Sequence, residues 1–168
     1  RLPNALIADN MTFLLCVPLE DGLVAVAHEE GYVVKIADPA KGTAVRTIRR
    51  DYRRVRYETD KPAETAGGAR RLAVRRDYHN DIQKLFAVDG LVWVMTSTVD
   101  PAKGVLVDVI SPGGDYLDNF LLPLPMGVGL NGLARHPLTI SGRTMLALEV
   151  REDGQLEVVK FEIIDPAP

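Results

Sequence analysis

The chain has 168 residues, of which 46% are hydrophobic, and a formal net charge of −3 at pH 7. That length and composition suit one globular core and do not suit a disordered chain. No apolar run approaches the roughly 20 residues of a transmembrane helix, so the sequence predicts no membrane span. The single cysteine, Cys16, excludes an intramolecular disulfide and lies in a strand-like run, which predicts a small buried hydrophobe and not a reactive thiol.

The chain begins with a series of predicted strands. Arg1–Ala8, with Pro3 near its start, fits an edge strand. Beyond it, short apolar runs alternate with turns that contain glycine or proline, as in antiparallel hairpins. These runs are Leu14–Leu19, Leu23–Ala27, Tyr32–Ala37 and Ala44–Ile48. Four strands in series predict a β-meander.

A basic stretch interrupts the strand pattern after Asp51. Eleven basic and four acidic residues between Arg46 and Arg76 give a charge of +7, which leaves −10 for the remainder. We interpret residues 51–79 as an insertion, called the basic flap, that contacts an acidic protein surface, a polyanion or the acidic remainder of the chain. Its candidate binding residues are Arg53, Arg54, Arg56, Arg70, Arg71, Arg75 and Arg76. Interleaved tyrosines also fit nucleic acid, but the acidic remainder and the lack of an RNA-binding signature disfavour it.

The clearest four-strand unit lies between Ile82 and Pro123. Asp89-Gly90 is a pair suited to the two positive-φ positions of a tight hairpin. Trp93 is predicted to lie in the core, with Val92 and Val94 on the opposite face of the strand. The predicted strands are Lys84–Val88, Leu91–Thr96, Val105–Ile110 and Tyr116–Leu122.

A third, weaker copy follows a glycine-rich connection at Met126–Gly132. Its predicted strands are Leu138–Ile140, Thr144–Val150 and Leu156–Ile164. The hairpin glycines at positions 22, 90 and 142 are 68 and 52 residues apart, which fits one propeller blade plus an insertion of variable size. We therefore predict an all-β chain of about three β-propeller blades, at residues 9–50, 80–124 and 131–165. The alternative is a β-sandwich whose unrelated hairpins share turn chemistry.

The loops that enter the first strand of each blade would cluster at one mouth of a propeller channel. They carry the candidate ligand-binding residues Asn10, His79, Asn80, Asp81, Asn131 and His136. Imidazole and carboxylate groups converging there could hold a metal or an anionic ligand. The alternative is that these side chains only cap turns by bonding the backbone.

The phrases Tyr32–Tyr52, Asp89–Val94 and Val107–Leu117 together resemble the bacterial six-bladed β-propeller proteins related to NHL-repeat propellers. The resemblance covers Leu14–Leu122 well and Leu138–Ile164 loosely. It implies a fold and an exported location, periplasmic or at the cell surface. It implies no reaction.

Six blades need about 250 residues or more. We therefore expect this chain to supply half of a ring, completed by the remainder of a longer chain or by a second copy. The sequence contains no Gly-x-Ser-x-Gly, HExxH, P-loop or paired-cysteine motif. The predicted function is a non-catalytic binding or protein-interaction module without a cofactor. The alternative is a propeller hydrolase of the lactonase type, with a divalent metal at the channel mouth.

Overall fold

The computed structural model describes residues 14–28, 31–56, 77–123, 137–151 and 153–163. Of these residues 65% are in strands and 3% are helical, so the predicted all-β class is confirmed. The helical residues form one 3-10 turn, Glu20–Gly22. Within the described ranges, no helix is long and apolar enough to cross a bilayer.

The first sheet, sheet 1, is a four-stranded antiparallel meander whose strands pair in chain order. Alternation along the strands buries one face, which includes Ala25, Ala27, Val34 and Ile36. Its strands are β1 (Leu14–Pro18), β2 (Val24–His28), β3 (Val33–Asp38) and β4 (Thr43–Arg49).

Sheet 2 repeats this plan and lies in the middle of the molecule. Asp89 and Gly90 form the predicted hairpin, with φ values of 50° and 75°, and join the paired residues Val88 and Leu91. Both angles fall in the left-handed region, where Asp and Gly are tolerated best. The strands are β5 (Ile82–Val88), β6 (Leu91–Asp100), β7 (Gly104–Ile110) and β8 (Tyr116–Leu122).

Sheet 3 has three antiparallel strands in the order β11-β10-β9. They are β9 (Leu138–Ser141), β10 (Thr144–Val150) and β11 (Leu156–Glu162). Met145 and Ala147 of the central strand are buried, whereas Leu146 between them is 38% exposed on the opposite face. Sheet 3 therefore also buries one face.

Two apolar clusters join the three sheets face to face. The first cluster joins sheets 1 and 2 and includes Ala27, Val92 and Val94. The second joins sheets 2 and 3, with Trp93 packed against it. Trp93 therefore packs against the core as predicted but is only partly buried, and the placement of Val92 and Val94 on the opposite face is confirmed.

The first strands of the three sheets adjoin one another, because β5 contacts both β1 and β9. This places one face of sheet 2 on sheet 1 and its other face on sheet 3. Such serial stacking differs from the predicted alternative of a two-sheet sandwich. Closure of a ring, the three blade boundaries and the NHL-type resemblance stay predictions.

The predicted burial of Cys16 is wrong, because this residue is exposed and has a free thiol. Its neighbours Leu15 and Val17 pack against the cluster between sheets 1 and 2. Since side chains alternate along a strand, Cys16 points to the opposite face of sheet 1. The predicted edge strand Arg1–Ala8 and the connection Met126–Gly132 lie outside the described residues.

Candidate functional site: an arginine pocket between two sheets

A fully buried carboxylate binds Arg50, the residue that directly follows β4, the last strand of sheet 1. Asp108, on β7, is completely enclosed between sheets 1 and 2. Tyr32 donates its hydroxyl to Asp108 Oδ2 at 2.7 Å, and Tyr116 donates to Asp108 Oδ1 at 3.3 Å. The Arg50 guanidinium forms an ion pair with Asp108 Oδ2. These contacts satisfy a buried charge that would otherwise be very costly.

The electrostatics of this cluster follow from its burial. Burial, together with the hydrogen bond and charge of Asp108, raises the pKa of Tyr32 far above its ordinary value. Burial alone would lower the pKa of Arg50, but the hydrogen bond and charge of Asp108 raise it by more. The Arg50 guanidinium also lies 5.7 Å from the Tyr32 ring centre and 5.4 Å from that of Tyr116. The cluster is thus a network of one ion pair and two hydrogen bonds that links the two sheets and neutralises the charge of Asp108.

Residues 51–56, the first part of the basic flap, cross from sheet 1 to the edge of sheet 2. The Tyr52 hydroxyl lies 2.6 Å from Thr98 Oγ1 and 3.1 Å from Ser97 Oγ, both on β6. The backbone N–H of His79 donates to the Val55 carbonyl at 2.8 Å. The first residues of the flap therefore contact sheet 2 through Tyr52, and Val55 is bonded to His79 at the far end of the flap.

A second buried carboxylate anchors this crossing segment. Asp81 is 2% exposed, and Arg54 Nε donates to its Oδ1 at 3.2 Å. Burial raises the pKa of Asp81, although the charge and hydrogen bond of Arg54 act in the opposite direction. Arg54 is therefore held in position by an acid of the same chain, as one reading of the flap predicted.

Three arginines and one tyrosine line a cavity of about 690 Å³ beside this anchor, which we call the arginine pocket. Its lining residues are Arg53, Arg54, Arg56 and Tyr78. Arg54 and Arg56 lie 5.0 and 5.6 Å from the centre of the Tyr78 ring. Arg56 Nε also donates to the Tyr78 hydroxyl at 3.3 Å, and this hydrogen bond raises the pKa of Arg56. The Tyr78 ring thus makes cation–π contacts with the guanidinium groups of both Arg54 and Arg56.

Among the described residues, no ion pair neutralises the remaining charge of the pocket, although the charge of nearby Asp77 also raises the pKa of Arg56. Within the described part of the chain, Arg53 forms no ion pair, and Arg56 is bonded only to a neutral hydroxyl. Guanidinium groups present forked donors that match carboxylate and phosphate oxygens. The pocket can therefore bind an anionic group.

The structure brings together only some of the sequence-predicted site residues. His79, Asn80 and Asp81 precede β5, with His79 and Asp81 buried and the Asn80 carbonyl accepting a hydrogen bond from Gln83 Nε2 at 2.6 Å. Arg53, Arg54 and Arg56 meet in the pocket. The residues outside the described ranges are Asn10, Arg70, Arg71, Arg75, Arg76, Asn131 and His136.

The predicted metal alternative is therefore tested only in part. In the described ranges no group of three or more His, Cys, Asp or Glu side chains is placed to hold a metal ion. The loops before the first and third blades, which would supply Asn10, Asn131 and His136, are not among those residues. The metal site stays a prediction.

Sequence reasoning missed the Asp108 cluster and also Lys84. Both residues interrupt apolar strands, Asp108 in Gly104–Ile110 and Lys84 in Ile82–Val88. A charged residue within such a run is a signal, because buried charges need a partner or a ligand. The partner itself could not be inferred, since Arg50 is 58 residues away from Asp108.

A scan against protein-family models and a search of curated proteins gave no match to this chain.

Proposed function

We propose that this chain is a non-catalytic binding module that captures an acidic protein segment in the arginine pocket. The observation that carries the proposal is the convergence of Arg53, Arg54 and Arg56 around Tyr78 at one cavity. One of these cations is already neutralised by Asp81, which leaves Arg53 and Arg56 to meet a ligand. Two exposed cations that line one cavity favour adjacent carboxylates over a single small anion.

The supports of the pocket favour binding over catalysis. Arg54 is anchored by Asp81, and Tyr78 is held by the bridge between Arg56 and Tyr78. Such preorganisation lowers the entropic cost of binding. Among the described residues, the groups around the pocket are guanidiniums and a phenol, which supply charge and hydrogen bonds but no nucleophile paired with a base.

The binding experiment uses fluorescence anisotropy of a labelled oligoglutamate peptide at low salt. Arg53→Gln and Arg56→Gln are each expected to weaken binding by roughly threefold, the scale of one exposed ion pair. Lys103→Gln is the matched control, because it removes one positive charge from the exposed β6–β7 turn. Equal losses in all three variants would show attraction to overall charge and contradict the pocket. Tighter binding of a single-stranded oligonucleotide at the same salt concentration would contradict the choice of an acidic protein.

We further propose that the three sheets are blades of a β-propeller, completed by a second copy of the chain. Serial stacking of the sheets and the meeting of β1, β5 and β9 along one line support this architecture. The outward faces of the terminal sheets carry exposed apolar residues: Leu14 on sheet 1 is 55% exposed, and Leu156 and Val158 on sheet 3 are each 65% exposed. A like sheet would bury such residues, as sheet 2 is buried on both faces.

A further inference from the structure

A groove runs along the first strands of the three sheets. It shares no lining residue with the arginine pocket. It has a volume of about 500 Å³ and is walled by Leu15–Pro18 of β1, Lys84–Ala87 of β5 and Leu138–Gly142 at β9. That volume lies within the range of small-molecule sites, roughly 300 to 1,000 Å³. The groove belongs to all three sheets, so its shape depends on how they are stacked.

Among the described residues, the groove is lined by one charged side chain, that of Lys84. The lining side chains are apolar or uncharged except for Lys84, which is half-buried. Among the described residues no carboxylate forms an ion pair with Lys84, and no hydrogen bond of its ammonium group is present. Burial lowers the pKa of Lys84, with no neighbouring charge to oppose it.

An unpaired ammonium group in such a place costs stability in the free protein. Phe86 and Val88, on the same face of β5 as Lys84, are buried, so an apolar residue at position 84 would fit the surroundings. A polar lining also lies close by, since Thr139 and Ser141 of β9 face the same groove. A ligand with an anionic head would neutralise the amine, and its apolar body would cover Leu15 and Val17, which are only partly buried.

We propose that the groove between β1, β5 and β9 binds a small amphiphilic carboxylate, whose head group pairs with the Lys84 amine and whose apolar chain lies on the flanking strands. The site goes beyond the arginine pocket in both location and ligand class. The pocket offers several exposed cations to a polyacidic segment, whereas the groove offers one half-buried cation beside both apolar and uncharged polar residues. The failure of one proposal therefore leaves the other intact.

Calorimetric titration with octanoate tests the site directly. The unmodified chain is expected to bind octanoate, and Lys84→Met is expected to weaken binding at least about tenfold, the value of a charge-assisted contact. Lys84→Met keeps the apolar length of the side chain, so the walls of the groove are preserved. Octanol, which has the same chain but no charge, is expected to bind both proteins equally and more weakly than octanoate binds the unmodified chain. Lys103→Met serves as the control for loss of a surface charge.

Competitive labelling shows where octanoate binds. Acetic anhydride acetylates amines, and mass spectrometry resolves the extent of modification at each lysine. Octanoate is expected to protect Lys84 selectively and to leave Lys35 and Lys103 unprotected, while octanol protects none of the three.

The stability of the ligand-free protein against urea supplies an independent readout. Because Lys84→Met removes an unpaired, half-buried charge, the ligand-free variant is expected to unfold at a higher urea concentration than the unmodified chain. Three results would each overturn the proposal: no octanoate binding up to about 10 mM, equal octanoate affinity of Lys84→Met, or a less stable ligand-free Lys84→Met.

Discussion

At the scale of single residues, two buried carboxylates determine how the flap leaves the body of the molecule. Asp108 is held by Arg50 and two tyrosine hydroxyls, and Asp81 is held by Arg54. The two arginines belong to one short segment, so the same stretch of chain neutralises both acids. The arginine pocket exists because this segment cannot move away without leaving a buried charge.

The Arg50–Asp108 pair is expected to matter for stability mainly through what its loss leaves behind. Arg50→Met leaves Asp108 fully buried with only hydroxyl donors, which should lower the free energy of unfolding by about 3 kcal/mol. Arg49→Met, a change at an exposed neighbour without an ion pair in the described ranges, should alter it by less than about 0.5 kcal/mol. Urea denaturation of both variants makes the comparison. Equal effects of the two changes would show that the pair contributes nothing specific.

Asp81 should give the molecule a recognisable pH dependence. Its folded pKa lies above the unfolded value of about 3.9, so the folded state binds this proton more tightly. Its contribution to stability is therefore present at low pH and is lost as the pH rises through the folded pKa. Asp81→Asn is expected to remove that decline in the free energy of unfolding, whereas Asp51→Asn, at an exposed carboxyl, should keep it. Parallel pH profiles for the unmodified chain and Asp81→Asn would refute this assignment.

At the scale of strands and turns, close approach of the backbone makes one glycine indispensable. Gly104, at the start of β7, has φ +117°, and an added Cβ would lie 2.0 Å from the Leu122 carbonyl oxygen of β8. Gly42, in the β3–β4 turn, also has a positive φ but has no atom within 4 Å of an added Cβ. The two positions separate steric overlap from the cost of a left-handed backbone alone.

Gly104→Ala is accordingly expected to lower the free energy of unfolding by more than about 3 kcal/mol or to prevent folding. Gly42→Ala should cost only about 1 kcal/mol, the strain of a left-handed alanine. Circular dichroism during urea unfolding measures both variants. A Gly104→Ala protein as stable as Gly42→Ala would contradict the observed closeness of β7 and β8.

The elements were the part of the structure most open to prediction from sequence. Tyr116–Leu122 and Thr144–Val150 were predicted with the observed bounds, and the other described strands to within about four residues at either end. Alternating β-branched runs and Asp-Gly turns are local signals, so they can be read from a short window. Cys16 was placed wrongly because either face of β1 would satisfy the same alternation.

For the candidate site, the sequence predicted a cluster of arginines but not the residues with which they pair. Clustered arginines identified the flap, but the pairing of Arg54 with Asp81 joins residues 27 positions apart, and that of Arg50 with Asp108 joins residues 58 apart. Nothing local selects one acid from the many in the chain. The groove around Lys84 was missed for the same reason, since its three walls come from three separate sheets.

At the scale of the whole molecule, the arrangement is defined by the middle sheet. Sheet 2 is covered on both faces, whereas sheets 1 and 3 are each covered on one. If a second copy completes a ring, sheet 3 of one chain packs on sheet 1 of the other. Val158→Glu, which puts a charge on the outward face of sheet 3, should then abolish association. Leu117→Glu on β8, the last strand of sheet 2, is the control for a charge at another exposed apolar residue.

Sedimentation equilibrium of this chain alone, over a range of concentrations, tests the ring most directly. We expect the mass of two chains, which should fall to that of one in Val158→Glu and stay at two in Leu117→Glu. A stable single-chain mass for the unmodified protein at every concentration would contradict the ring.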